Sequence, residues 1–328
     1  ENLVLYQTVR SVSKAWCYPL YGSIRQLDLD YDWCAHIPPE VGSRFTSLES
    51  LKFTRDYRAP YVPWDLPTAL RHMPKLRSLK FWLDGHDGRV RQFPSWFAEL
   101  QLVELYTGAA AGDVSWDKDD ACLPRSLEYL DVVFHGESPS LTCIRRLPRL
   151  RELETNDSVE SCPTWLHEVK SLRRLDLYLV DSVDVLRRMS LEAIKATSDL
   201  DWEDDQPVET EGYVDALERL VVGTPCGASL RELNISGNKL SHVPDCFRGL
   251  QLQVLNISDC GVEAIPSWIA ELPLVALDLA GNDSISTLPA SLQTLTSLRV
   301  LVLRGTNLCG PQVECGYDES EQQERIVP

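Results

Sequence analysis

The feature of this chain that most constrains its fold is a pattern of apolar residues that recurs about every 22 residues. Each copy contains Leu-x-x-Leu-x-Leu or a close variant. It then reaches an apolar residue and a proline, with further apolar residues three and six positions later. The clearest copies begin at Leu230, Leu252, Leu274 and Leu298, with spacings of 22, 22 and 24 residues. A period of this length predicts a solenoid, in which each repeat stacks on the next.

The spacing within one copy predicts its local structure. The last two leucines of Leu-x-x-Leu-x-Leu are two residues apart, so they point to the same side of a short β-strand. The proline has a fixed φ and no N–H, which suits the first turn of a helical segment. One repeat cannot bury its own leucines, and stacking supplies the core. We therefore predict an α/β solenoid with a parallel, concave β-sheet and short helices or 3₁₀ turns on its convex side.

The same register extends into a less regular first half. We predict eleven repeats, seven of them irregular over residues 24–180 and four regular over residues 230–308. Residues 1–23 are predicted to form an N-terminal cap, and residues 309–328 a C-terminal cap with an acidic tail. The irregular repeats begin at Ile24, Leu48, Leu76, Leu102, Leu127, Leu150 and Leu172.

Residues 181–229 interrupt the repeat pattern, because two successive repeat starts are here 58 residues apart. Ser190–Ile194 and Tyr213–Val222 have apolar spacings that fit either a helix or a degenerate repeat strand. Between them, Asp199–Glu211 is strongly acidic, which is typical of a solvated loop. The alternative is an island inserted into the solenoid that contacts a partner.

The composition disfavours several classes of function. The net charge of −17 makes nucleic acid an unfavourable partner. No window of 18 apolar residues exists, so we expect no transmembrane segment in this chain. The six histidines are scattered over different repeat positions, and no phosphate-binding loop or nucleophile motif is found. The sequence therefore predicts no cofactor, no metal site and no enzymatic activity.

Ten cysteines are many for a cytosolic protein of this length, and their number is even. No spacing is typical of a zinc site. Cys309 and Cys315 follow the last repeat, where a disulfide would seal the end of the solenoid. Cys17 and Cys34 flank the first predicted strand and are candidates for the same role at the other end. Cys260 lies near the position that other repeats give to asparagine, and we expect a buried free thiol there.

These residues resemble the leucine-rich repeat superfamily, over about Trp16 to Cys315. Asn307–Pro311 followed by Cys315 is similar to the cap that closes plant-type extracellular receptor-like proteins and receptor kinases. Trp16-Cys17 before the first strand resembles the other cap of that group. The resemblance implies a horseshoe fold and an extracellular or cell-surface location, as the ectodomain of a receptor-like or inhibitor-like protein.

The consensus sequence of these repeats differs from that of the plant-type extracellular group. Its members usually carry a glycine before the Ile-Pro pair, whereas this chain has Ser241–Pro244 and Glu263–Pro266 at the equivalent places. Such repeats resemble those of intracellular scaffolds and nucleotide-binding immune sensors. A cytoplasmic location is therefore the alternative.

Potential glycosylation sites accompany the extracellular interpretation. Asn156, Asn234 and Asn256 each begin an Asn-x-Ser sequon. Asn282 also begins one, but we expect it in an internal column of asparagines, where no glycan reaches it. Asn234 and Asn256 are predicted on the concave face.

We expect a partner to bind the concave face in the middle repeats, where outward strand positions are aromatic or charged. The equivalent positions of the last repeats are small or polar. The alternative is that tilted repeats bury some of these side chains in the core. The predicted function is non-catalytic recognition of a protein, peptide or glycan; the alternatives are an intracellular scaffold or sensor, or an extracellular structural assembly protein. The predicted contact residues are Trp82, Tyr106, Tyr129, Phe134, Tyr178, Lys80 and Arg174.

Overall fold

The computed structural model describes residues 21–30, 42–54, 66–81, 94–107, 123–132, 139–155, 164–176, 183–196 and 210–308. These residues contain one parallel sheet of twelve strands, in which each strand pairs with the next along the chain. This arrangement confirms the predicted horseshoe solenoid. The strands are β1 (Gln26–Asp30), β2 (Ser50–Thr54), β3 (Ser78–Phe81), β4 (Glu104–Tyr106), β5 (Tyr129–Asp131), β6 (Glu152–Glu154), β7 (Arg174–Asp176), β8 (Ala193–Lys195), β9 (Glu232–Asn234), β10 (Val254–Asn256), β11 (Ala276–Asp278) and β12 (Val300–Val302).

The leucine pattern sets where the strands lie. Each predicted strand begins two residues after the first apolar residue of its repeat, as β9 does after Leu230. The second residue of every strand from β2 to β11 is at most 2% exposed. These residues are in register, so that Leu233 pairs with Ile194 on one side and Leu255 on the other. Each buried leucine contributes about 2 kcal/mol of hydrophobic stabilisation, and the stack forms one continuous core.

The sheet has one strand more than the eleven predicted repeats. Strand β8 lies inside residues 181–229 and pairs with both β7 and β9, so the sheet continues through this segment. Its repeat begins at Leu191, which is fully buried, and continues with Ile194 and Ala196. Of the two structures that the spacing of Ser190–Ile194 allowed, the repeat strand is therefore the one that forms. It was not counted among the eleven repeats because an alanine takes the place of the third leucine.

Three α-helices lie wholly within the described residues, and all are in the segment 181–229: α1 (Val183–Leu186), α2 (Thr210–Val221) and α3 (Pro225–Ser229). Leu217 and Leu220 are fully buried on one face of α2. Of the two structures that the spacing of Tyr213–Val222 allowed, the helix is therefore the one that forms. None of the described helices combines the length and the apolar character that crossing a membrane requires.

Helix α2 is hydrogen-bonded to the sheet through the carbonyl oxygen of Ala196, at the end of β8. The Tyr213 hydroxyl donates to this oxygen at 3.3 Å. The Asn238 side-chain amide, from the next repeat, donates to it at 2.8 Å. Hydrogen bonds thus connect α2 to the end of β8, and the end of β8 to the next repeat.

The convex side consists largely of 3₁₀ helices. Of the seven among the described residues, five directly follow a proline, which lies in an extended conformation before the helix and not in its first turn. In three regular repeats the residue three positions after the proline packs inward, as Phe247 does with 0% exposure. The 3₁₀ helices are Thr68–His72, Ser95–Glu99, Pro139–Arg146, Leu166–Glu168, Asp245–Phe247, Ser267–Glu271 and Ala290–Thr294.

A column of buried polar side chains joins the regular repeats. Asn282 is fully buried, and its amide donates to the carbonyl oxygens of Ile257 and Leu279, both at 2.9 Å. Its Oδ1 accepts from the backbone N–H groups of Cys260 and Val262. Cys260 occupies the same column one repeat earlier as a buried free thiol, as predicted. The column satisfies backbone groups that the turn would otherwise leave unpaired.

Candidate functional site

From β2 to β11 the second position of each strand is buried, and the first and third positions lie on the concave face. Strands β4, β6, β9 and β10 show this alternation directly. The third positions of β1 to β11 are Asp28, Lys52, Lys80, Tyr106, Asp131, Glu154, Asp176, Lys195, Asn234, Asn256 and Asp278.

In the regular repeats, the third-position side chains are used for local structure. The Oδ1 atoms of Asn234, Asn256 and Asp278 each accept a hydrogen bond from the backbone N–H two residues later, at 2.9–3.0 Å. Asn234 and Asn256 are register partners on neighbouring strands. They therefore lie on the concave face where the sequence predicted them, and each stabilises the turn that follows its strand.

In the middle repeats, four third- or first-position side chains form a continuous cluster across β3 to β6. The Lys80 ammonium lies 3.8 Å from the centre of the Tyr106 ring, in a cation–π contact. The rings of Tyr106 and Tyr129 are 4.4 Å apart. The Tyr129 hydroxyl donates to a carboxylate oxygen of Glu154. We call these four residues the Tyr106 cluster.

The four side chains of the Tyr106 cluster differ in their exposure to solvent. Tyr129 is only 7% exposed, whereas Tyr106, Lys80 and Glu154 are half-buried. Burial, followed by the hydrogen bond and the negative charge of Glu154, raises the pKa of Tyr129. The phenol therefore stays protonated and keeps donating its hydrogen bond. Tyr129 forms the floor, and Tyr106 is the aromatic surface that a ligand can reach.

Beside this cluster lies a groove of about 920 Å³, at the edge of the concave face where strands β4 to β7 begin. It includes the first positions of these strands, the residues just before them, and Tyr106. Charged side chains of both signs make up most of its lining. The lining residues are Val103, Glu104, Tyr106, Glu128, Tyr129, Pro148, Arg149, Arg151, Glu152, Ser171, Arg173, Arg174 and Glu192.

Internal ion pairs neutralise one end of the groove. Arg173 lies 3.6 Å from Glu192. Arg174 reaches across β8 to Glu232, at 2.8 Å, and the small side chain of Ala193 lies between them in the sheet register. The predicted contact residue Arg174 thus already has a carboxylate partner inside the chain.

The structure brings together four of the seven predicted contact residues. Lys80, Tyr106 and Tyr129 belong to the Tyr106 cluster, and Arg174 lines the adjoining groove. The other predicted residues fall outside the part of the chain that the structure describes: the contact residues Trp82, Phe134 and Tyr178, the cysteines Cys17, Cys34, Cys309 and Cys315, and the glycosylation candidate Asn156.

The predicted contact residues do not include four charged residues of the groove: Glu104, Glu128, Arg149 and Arg151. Within the described residues, their side chains form no hydrogen bond or ion pair. A signal for them was present, because Glu128 and Arg151 occupy the position directly before a strand, at the edge of the concave face. The alternation within the strand points to the first and third positions, so it covers Glu104 but not Glu128, Arg149 or Arg151.

Three of the four described cysteines, Cys226, Cys246 and Cys260, do not resemble nucleophiles. Burial raises the pKa of Cys226 and Cys260 to about 12 and that of Cys246 to about 11. Such thiols are almost entirely protonated at neutral pH, and the thiolate is the reactive form. Among the described residues, no group of three His, Cys, Asp or Glu side chains is arranged to hold a metal ion.

Comparisons with known proteins agree with the repeat architecture. The family model for the Leucine Rich Repeat matches residues 229–250, which form one regular repeat. No curated protein sequence matches the chain.

Solved structures with similar folds include a bacterial internalin, a Drosophila complex and a plant hormone receptor. An internalin, InlF, from Listeria monocytogenes is 19% identical, with a TM-score of 0.41, and the match covers 88% of this chain and 83% of that one. The Drosophila Toll–Spätzle complex gives 15% identity and a TM-score of 0.43, over 90% of this chain and 34% of that one. The plant peptide hormone receptor RGFR1 in complex with RGF2 is 16% identical, with a TM-score of 0.32, and the match covers 86% of this chain and 50% of that one.

Likenesses at this level carry no information on what this chain binds. The assignment rests instead on the chain's own features: the period of about 22 residues, the matched repeat, the twelve in-register parallel strands and the buried asparagine column. The chain has the leucine-rich repeat fold, and one of its repeats matches the family model.

Proposed function

We propose that this chain is a non-catalytic recognition module that binds a protein or peptide partner on the concave face of β3 to β7. The observation that carries the proposal is the Tyr106 cluster beside the charged groove. A half-buried tyrosine ring is typical of the hot spots near the centre of a protein interface, and charged side chains such as those of the groove are typical of its rim. The regular repeats offer no comparable group among their described third positions, where the side chains support local turns.

The geometry of the cluster supports a role in binding more than one in stability. The Lys80–Tyr106 contact lies at the surface, and neither side chain is part of the core formed by the second positions. Exposed contacts of this kind contribute only about 0.5–1 kcal/mol to stability. They hold Tyr106 in one orientation, which lowers the entropy that a partner must overcome on binding.

A display experiment tests this proposal, because a random library samples many partner chemistries at once. Random peptides of about twelve residues are selected for binding to the immobilised full chain, and the affinity of each enriched peptide is measured by fluorescence anisotropy. We expect Tyr106→Ala to weaken binding at least tenfold, because hot-spot tyrosines contribute on the order of 2 kcal/mol. The melting temperature should change by no more than about 2 °C.

Asp278→Ala provides the matched control, since it removes a third-position side chain from the concave face of a regular repeat. It should leave peptide binding unchanged. The proposal is wrong if no peptide is enriched, or if the enriched peptides bind Tyr106→Ala as tightly as the wild-type chain.

We further propose an extracellular location, as the ectodomain of a receptor-like or inhibitor-like protein. The support comes from the sequence: the cap-like cysteine pairs and the sequons. The intact mass of natively produced protein, before and after reduction and glycosidase treatment, tests it. Disulfides together with added hexosamine would agree with the proposal. Ten free thiols without glycan would favour the cytoplasmic scaffold instead.

A further inference from the structure

We infer that the groove selects a peptide segment in which a basic and an acidic residue are three positions apart, in a polyproline II conformation. This inference rests on the proposed function and adds the chemistry of the ligand to it. The basic residue would pair with Glu104 and Glu128, and the acidic residue with Arg149 and Arg151. The segment between them would lie beside the ring of Tyr106.

The first observation is that these four groove charges have no partner within the described residues. Glu104 and Glu128 are half-buried, and Arg149 and Arg151 are exposed. By contrast, neighbouring charges on β7 and β8 form internal pairs. The four unpaired charges lie on or just before β4, β5 and β6, the strands that carry Tyr106, Tyr129 and Glu154. They are thus in the part of the groove next to the Tyr106 cluster.

The second observation concerns the arginines that precede the strands in other repeats. Arg77, Arg173 and Arg231 occupy the same position as Arg151, and each guanidinium folds back to donate to the carbonyl of the residue just before it. Each also donates to a second carbonyl oxygen nearby. Arg151 makes neither bond within the described residues. The structural role of an arginine at this position is thus not performed by Arg151.

The groove carries charged side chains of both signs, which argues against a polyanion as its ligand. Glu104, Glu128 and Glu152 lie in the same groove as the arginines, and each would repel a continuous series of phosphates or sulfates. The net charge of −17 adds a repulsive field over the whole chain. A ligand that carries one group of each sign meets attraction at both ends, and a peptide is the simplest such ligand.

The distance between the two ends defines the spacing in the ligand. Glu104 begins β4 and Arg151 precedes β6, two strands further along the sheet. Neighbouring strands are about 4.8 Å apart, so the two positions are about 10 Å apart, and Glu128, which precedes β5, lies between them. A polyproline II segment rises about 3.1 Å per residue with three residues per turn, which places residues i and i+3 on one side about 9 Å apart. A β-strand would place them on opposite sides.

The peptides selected in the display experiment test this inference. We expect a basic and an acidic residue three positions apart in most enriched sequences, with proline frequent between or beside them. Replacing the acidic residue by lysine should weaken binding to the wild-type chain at least tenfold.

A charge-reversal variant then tests which protein groups are responsible. Arg149→Glu with Arg151→Glu should bind the lysine-substituted peptide and lose the original one, again by about tenfold or more. Arg299→Glu with Arg304→Glu is the matched control, because it changes the net charge equally. Arg299 precedes β12, as Arg151 precedes β6, and both control arginines are exposed and outside the groove. This control should keep the wild-type preference.

The outcomes separate this inference from the proposed function. Enriched peptides without the paired charges, but still dependent on Tyr106, would overturn the inference and leave the function standing. Peptides that do not depend on Tyr106 would overturn both. Tight binding of heparin that is lost in the Arg149→Glu, Arg151→Glu variant would show a polyanion site and would also overturn the inference.

Discussion

The regular repeats of β9 to β12 and the irregular repeats of β3 to β8 share one core but differ in their outward residues. In both regions the second strand position is an apolar residue in register with its neighbours, and from β3 to β11 it is buried. In the regular region, outward asparagine and aspartate side chains bond their own turns. In the irregular region, outward residues bond across strands instead, as in the Lys80–Tyr106 contact and the Lys195–Asp176 ion pair.

This difference shows how a repeat protein separates stability from recognition. A consensus residue such as Asn282 satisfies the same backbone groups wherever it occurs, so it stabilises any repeat that carries it. The Tyr106 cluster depends on which residue the neighbouring strand presents, so it is specific to its place in the sheet. Changes to the first kind of residue should therefore alter stability, and changes to the second kind should alter binding.

The largest effect on stability is expected from Asn282→Leu. This change leaves the N–H groups of Cys260 and Val262 without their acceptor and three carbonyl groups without a donor, at a buried position. Each unsatisfied buried group costs about 1–3 kcal/mol, so we expect a loss of about 4 kcal/mol in the free energy of unfolding, measured in urea. Asp278→Ala, which removes one partly buried hydrogen bond, should cost about 1 kcal/mol. Equal costs would contradict the special role of the buried column.

The next effect concerns the segment that joins the two regions. A Cβ atom on Gly227, in α3, would lie 1.9 Å from the carbonyl oxygen of Val221 at the end of α2. Because the obstacle is backbone, Gly227→Ala should cost about 2–3 kcal/mol in urea unfolding. Gly212, near the start of α2, has nothing within 4 Å of such an atom, and Gly212→Ala should be neutral or stabilise by up to about 1 kcal/mol. A harmless Gly227→Ala would mean that the helices of residues 181–229 are not packed against each other in solution.

Most of the fold could be predicted from the sequence, because leucine spacing alone determines strand position and register. Strand β8 was predicted only as an alternative to a helix and was not counted as a repeat, because Ala196 replaces a leucine. Its repeat nevertheless begins with Ser190-Leu191, and a serine precedes the first leucine in other repeats. The hydroxyls of Ser126, Ser229 and Ser297 donate to carbonyl oxygens of the preceding repeat, so this serine was a usable signal.

The site could be predicted only in part, because side-chain partners depend on residues far away in the sequence. Alternation within the strands placed Tyr106 and Lys80 on the concave face. It did not predict that Tyr129 is covered, since this depends on Tyr106 and Glu154 in the neighbouring strands. Nor did it predict the Arg174–Glu232 pair, whose members are 58 residues apart.

A smaller effect should appear at alkaline pH, from the buried thiol in α3. Burial raises the pKa of Cys226 to about 12, whereas an unfolded cysteine has a pKa of about 8.5. The native state therefore keeps a proton that the unfolded state loses, and the associated stability is complete below about pH 8.5 and declines as the pH rises toward 12.

Cys226→Ala removes this contribution. Between pH 8 and pH 10, the free energy of unfolding of the wild-type chain should fall by about 1–2 kcal/mol more than that of Cys226→Ala. Urea titrations at the two pH values measure this difference. Parallel pH dependence in the two proteins would show that the Cys226 thiol ionises normally in the native state.

The smallest effect is expected on the convex side, where ion pairs link neighbouring repeats. Arg248 contacts both carboxylate oxygens of Glu271, at 2.8 and 3.0 Å, but both side chains are more than half exposed. Solvent screens such a pair, and holding two long side chains in place costs entropy, so Arg248→Ala should leave the free energy of unfolding almost unchanged. Urea unfolding at low and high salt should give nearly the same difference from the wild-type chain. A loss approaching that of Asn282→Leu would mean that the convex pairs, and not the buried column, hold the regular repeats together.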